Sequence, residues 1–177
     1  MILMAAGHNL WPMYYLMKKY LLNCVLFLLP VMLWDGLFTS RLPAAFQPGV
    51  FRSHIPVWLQ NAENATRILV FALPLFMPLP ISKLNQKAGF KVYLAGLALY
   101  FAAWIAQIDY PQSPWSQSLW GFMAPAYTPI IWLAGIALMA DSFYCKLPYR
   151  RVYYLSVSAV FVVLHCWHTW LVWERVG

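Results

Sequence analysis

Five stretches of about 20 mostly apolar residues run through this chain, and most of its charge sits between them. A helix of that length matches the hydrocarbon thickness of a bilayer. In lipid, only a structure that satisfies its own backbone hydrogen bonds can persist. The stretches cover about 20–38, 62–81, 92–108, 119–140 and 152–173. The second is the weakest, with a polar first turn and with Pro74, Pro78 and Pro80 in its last turns. The chain therefore reads as all-α, a polytopic membrane bundle of five transmembrane helices in a single transmembrane domain, 1–177. Composition agrees. A chain of 177 residues that is 63% hydrophobic, 10% charged and has a mean hydropathy of +0.62 carries more apolar surface than a soluble domain can bury. Its low charge and many aromatic residues exclude disorder.

The net charge of +7 would point to nucleic acid in a soluble protein. Here the basic residues flank apolar runs, so they orient the chain, and no nucleic-acid partner is expected. One side receives Lys18, Lys19, Lys83, Lys87, Lys91, Lys146, Arg150 and Arg151, and the other receives Arg41, Arg52, Arg67 and Arg175. The positive-inside rule makes the first side cytoplasmic. The N-terminus is then cytoplasmic and the C-terminus external, which requires an odd number of spans. The expected location is the bacterial inner (plasma) membrane. Residues 1–19 read as a cytoplasmic or interfacial segment without a basic signal-peptide start, and Met17, before Lys18 and Lys19, is an alternative start of translation. The first span is expected to be retained. Cys24, Cys145 and Cys166 are scattered, with no CxxC, and read as packing residues.

The longest connection, 39–61, is placed outside. It mixes Pro43, Pro48 and Pro56 with Phe46, Phe51, Trp58 and Leu59, too aromatic a set for a flexible linker. An external lid or interfacial helix packed on the bundle is expected. Beyond it, Glu63 and Arg67 stand one helical turn apart and can pair.

Helical spacing sorts the candidate site residues by face. Tyr93, Gly96, Tyr100, Trp104 and Gln107 form one stripe of the third span, readable as a ligand-lining wall or as ordinary packing. Ala98, Ala102 and Ala106 form a second stripe, small enough to let helices approach closely. In the fifth span, Ser158, Phe161, His165, His168, Thr169 and Val172 share a face opposite Val160, Val163, Trp167 and Trp170. Imidazoles are costly against lipid, so the polar face should point inward. His165 and His168, three apart, can approach one metal ion, with Asp35, Asp109, Glu63 and His54 as external-side candidates for further ligands. A haem is disfavoured, because two histidines one turn apart cannot take opposite axial positions. The alternatives are acid/base chemistry and plain hydrogen bonding within the bundle. Asp35, near the external end of the first span, needs donors if buried, and Arg41, Arg52 and His165 are the expected partners. Pro125 and Pro129 break the fourth span around Tyr127 and Thr128, as broken helices at ion or substrate sites do, or simply as kinks.

No GxSxG, Walker, HExxH or dinucleotide motif is present. The leading reading is a small membrane protein that binds an amphipathic or lipid-like molecule in an aromatic, proline-kinked pocket on the external side. Its expected binding residues are Asp35, Arg52, His54, Tyr100, Trp104, Gln107, Tyr127, Thr128, His165 and His168. The alternatives are a membrane-embedded enzyme with a His/Asp site, with or without a metal on His165 and His168, and a non-catalytic subunit of a larger membrane complex. The partners implied are the lipid bilayer, a lipid-like ligand, and a membrane-protein partner or second copy of the chain. No cofactor is specified by the sequence.

Overall fold

The structure is a computed structural model that describes residues 23–79, 83–144, 148 and 150–176. The expected N-terminal segment 1–19, the start of the first span, Met17 and Cys145 lie outside the described residues. The described residues are helical, with no strand among them. A 3-10 turn, Cys24–Leu28, leads into α1 (Leu29–Phe38). Short turns and α2 (Pro48–Arg52) precede α3 (Val57–Ala72), which tightens into a 3-10 turn at Leu73–Phe76. Then come α4 (Leu84–Asp109), α5 (Leu119–Tyr127), α6 (Pro129–Met139) and α7 (Arg151–Val176). Among the described residues, four segments are long and apolar enough to cross a membrane: Cys24–Arg41, Leu84–Asp109, Leu119–Met139 and Arg151–Val176. Of the stretch expected as the second span, 62–81, residues 62–76 belong to α3 and the turn after it, and 80–81 lie outside the described residues. That helix starts earlier, at Val57, and carries Glu63 and Arg67.

Helix starts follow local chemistry. Asn23 opens the first turn by accepting a hydrogen bond from the Val25 amide at 3.1 Å. Gln86 reaches back to accept from the Lys83 amide at 2.9 Å, closing the first turn of α4. Ser118 caps α5 by accepting from the Gly121 amide at 3.1 Å. Prolines mostly mark junctions: Pro30 and Pro129 lie in the first turns of α1 and α6, and Pro74 in the turn that ends α3. Among the described residues, Pro125 alone lies inside a helix, α5.

The most extensive helix contact is between α4 and α6. A Cβ on Gly96 would fall 2.4 Å from the Trp132 amide nitrogen, and one on Gly135 2.5 Å from the Tyr93 nitrogen. The two backbones thus meet through glycine on the stripe of Tyr93, Gly96 and Tyr100, and the same buried stripe continues to Gln107, which meets Gly121 of α5. The alanine stripe does not fill that role: Ala98 and Ala102 are exposed. Alanine and glycine are both small, but only glycine admits backbones at this distance.

On α7, Ser158, Phe161, His168, Thr169 and Val172 are buried, while Val160, Val163, Trp167 and Trp170 are exposed, which is the expected partition. α3 packs along α7. At one end Trp58 meets Trp167 with ring centroids 5.2 Å apart, and at the other the Tyr154 hydroxyl of α7 donates to the Val70 carbonyl of α3 at 3.2 Å; beyond α3, the Cys24 amide donates to the Met77 carbonyl at 2.9 Å. Of the stretch expected as an external lid, 39–61, residues 57–61 belong to α3, and the remainder, 39–56, is the lid that packs on the bundle. Phe46 stacks on Phe122 with ring centroids 4.5 Å apart and meets Trp104 edge-on at 5.3 Å. Arg175 of α7 donates to the carbonyls of Val50 and Ser53.

Candidate functional site

Beneath the lid lies a cavity of about 410 Å3, walled by side chains of α1, α3, α4, α5, α6 and α7. Its walls are largely aromatic: Trp34, Phe38, Phe71, Trp104, Trp132 and Phe161. The polar groups gather in two places.

The first is centred on Glu63, which is 2% exposed. Arg67, one turn further along α3, donates to Oε1. His165 Nδ1 lies 3.0 Å from the same oxygen, and His168 Nδ1 lies 2.5 Å from Oε2. One carboxylate therefore has three partners, two of them more than 100 residues away in sequence. His168 Nε2 faces the Phe51 carbonyl of the lid at 3.0 Å, and the Phe51 ring stacks on the imidazole at 4.3 Å between centroids. His165 is sandwiched less tightly, its ring nearly parallel to that of Phe161 at 5.6 Å.

The second is Asp35, whose Oδ1 accepts from the Tyr100 hydroxyl at 2.8 Å. Tyr100 was not among the partners expected for it. Arg41 instead lies 5.7 Å from the Phe38 ring centroid, and Arg52 stands at the cavity rim, exposed.

Of the residues singled out from sequence, the cavity wall brings together Asp35, Arg52, Tyr100, Trp104, His165 and His168. The other four lie outside it. His54 is exposed on the lid, with a backbone φ of 56°. Gln107 is buried and donates to the Gly121 carbonyl at 2.8 Å and to the Ser116 carbonyl at 3.3 Å. The Gly121 carbonyl is the group that Pro125 leaves without its helical donor, so Gln107 repairs the break in α5. The Tyr127 hydroxyl donates to the Trp120 carbonyl at 3.2 Å, and the Thr128 hydroxyl to the Ala124 carbonyl at 2.8 Å. Gln107 thus mends the break, Tyr127 and Thr128 bond carbonyls of their own helix, and none of the three is part of the pocket.

The metal expected on His165 and His168 finds no ligand set. Both Nδ1 atoms face Glu63 oxygens, so the carboxylate occupies the place where a shared ion would sit. Among the described residues no group of three or more His, Cys, Asp or Glu side chains is arranged to hold a metal ion. Glu63 is what sequence reasoning undervalued. Its pairing with Arg67 accounted for it locally, and its distance from the histidines in sequence concealed its central position.

The arrangement can hold a buried carboxylate with strong donors, fix the imidazole orientations and present a second carboxylate, Asp35, to the same space. Compared with models of known families, with curated proteins and with solved structures, the chain matches none.

Proposed function

We propose that this chain is a small integral membrane protein that holds an amphipathic, lipid-like molecule in the cavity beneath its lid. The observation that carries this reading is the cavity itself. Its volume, about 410 Å3, falls in the range of small-molecule sites. Its walls are aromatic and its polar groups converge at Asp35 and at the Glu63 cluster, which suits a guest with an apolar body and a polar end. Trp34 and Trp132, both in the cavity wall, have indole N–H groups with no acceptor among the described residues. A buried donor without an acceptor is costly, and a guest oxygen would relieve it. The bundle is oriented with Lys83 and Arg151 toward the cytoplasm and the lid outside, in the bacterial inner membrane. α3 serves as a fifth crossing helix. Its extent supports that topology, since its two ends contact opposite ends of the bundle.

The test is native mass spectrometry of the protein released from gently extracted membranes. A bound amphiphile in stoichiometric amount, lost in Trp132→Ala or Asp35→Ala protein that still folds, is the expected result. A chain that carries only the bulk lipid mixture, unchanged by either substitution, would overturn the reading.

A membrane-embedded enzyme is the second reading, and one observation favours it. Glu63 accepts from His165 Nδ1, which fixes the tautomer and leaves Nε2 as the basic nitrogen of a residue lining the cavity. The exposed apolar faces of the helices do not favour a docking subunit over these readings, because lipid covers such faces equally well.

A further inference from the structure

We infer that Glu63 and His168 form a proton-binding site, and that the bound proton holds the lid closed over the cavity. The argument is a count of donors and acceptors. His168 Nε2 faces the Phe51 carbonyl, which can only accept, so Nε2 carries a hydrogen. Nδ1 faces Glu63 Oε2, and an ionised carboxylate also can only accept. A neutral imidazole has one donor nitrogen, so it cannot serve both contacts. One additional proton must lie between Nδ1 and Oε2. Arg67 donates to the other oxygen of the same carboxylate and favours its ionised form, which places the proton on His168.

When that proton leaves, one of two contacts must break. Either Nδ1 presents a lone pair to the carboxylate, or the imidazole turns its hydrogen to Glu63 and releases Phe51. The second is cheaper, because the contact with Glu63 is buried and charged while Phe51 sits on the five-residue helix α2, flanked by short turns. The proton thus pins the lid to α7. The second pin, Arg175 on the Val50 and Ser53 carbonyls, keeps its charge at any relevant pH and does not titrate. The other ionisable groups around His168 are Arg67 on α3, Arg52 on the lid, Asp35 and Tyr100 across the cavity, and His165 on its own helix. His54 is exposed on the lid and outside the cavity wall.

The gate regulates the proposed ligand site and in that sense rests on it, whereas the proton site itself does not. The experiment therefore uses ligand-free, full-length protein in lipid nanodiscs. Hydrogen exchange of lid amides 46–53, corrected for the intrinsic pH dependence of exchange, is followed between about pH 5 and pH 9. In the wild type, protection falls about tenfold as the pH rises, the size expected for the loss of one charge-assisted hydrogen bond. Glu63→Gln is the decisive variant. Its amide oxygen still accepts from Arg67 and His165, and its NH2 donates to a neutral His168 Nδ1. The lid should then stay protected across the whole range. His54→Gln should leave the wild-type transition in place. A wild-type lid whose protection does not change with pH overturns the proposal. So does a Glu63→Gln lid that is loose throughout, or one that keeps the wild-type transition. Absence of a bound amphiphile in mass spectrometry would remove the ligand reading and leave these exchange results unaffected.

Discussion

Glu63 stands in a buried position with charged and polar partners on both oxygens, so its replacements separate size from chemistry. Glu63→Ala leaves Arg67 and two imidazoles without their acceptor and should cost about 3 kcal/mol, as breaking buried ion pairs does. Unfolding in mixed micelles would measure it, with Glu63→Gln remaining close to wild type. Asp141 is a contrasting case beyond the end of α6. The Lys83 ammonium donates to its carboxylate at 2.7 Å and holds its pKa below the ordinary value of 3.8. A lowered carboxylate pKa adds stability above the ordinary value, and this is lost as the pH falls through the lowered one. Because Lys83 is 70% exposed, the pair is worth under about 1 kcal/mol. Asp141→Asn should thus cost little at neutral pH, and nothing once the pH has fallen below that lowered pKa, in pH-resolved unfolding. At this scale, the inward face of α7 was legible because imidazoles avoid lipid and helical spacing names the face. The role of Glu63 was not, because a local i, i+4 partner already explained its charge.

Helices meet here through two glycines whose replacements should differ sharply from that of a third. Gly96→Ala would drive a methyl group into the backbone at Ile131 and Trp132, so α4 and α6 must separate. The expected cost is about 2 kcal/mol, typical of overpacking. Gly36, in α1, has nothing within 4 Å of an added Cβ. Gly36→Ala should leave stability unchanged or raise it by up to about 1 kcal/mol through helix propensity. Thermal unfolding of the two variants side by side checks both. Sequence spacing correctly defined the stripe that α4 uses, but it could not rank the glycine stripe above the alanine stripe. That ranking depends on the distance between two backbones, which no single helix encodes. That the segment before Val57 packs on the bundle was legible from its prolines and aromatics, whereas the start of the next helix at Val57, inside the stretch expected as a lid, was not. Val57 and Trp58 are exposed, so no inward apolar pattern marks that start.

For the molecule as a whole, the proposed topology makes a simple demand: the two ends of the bundle lie on opposite sides of the membrane. A phosphatase domain fused after Val176 should be active in the periplasm, and one fused after Lys83 should be inactive. Activity at both sites, or at neither, would contradict five spans in the stated orientation. The membrane character was readable at once, because scarce charge and long apolar runs are properties of composition and order. The count of crossing helices was harder: four segments among the described residues are long and apolar enough, and α3, which carries its own charge, is not one of them. The contacts between Arg175 and the carbonyls of Val50 and Ser53 have a further consequence, one of timing. A ribosome makes the lid more than 100 residues before the arginine that fastens it. Until α7 is made, Glu63 has Arg67 but neither imidazole beside it, and the lid has Phe122 and Trp104 to rest on but lacks its contacts with His168 and Arg175. The site is therefore the last part of the molecule to be assembled, and a chain stalled before α7 would display an open, charged cleft to the quality-control machinery of the membrane.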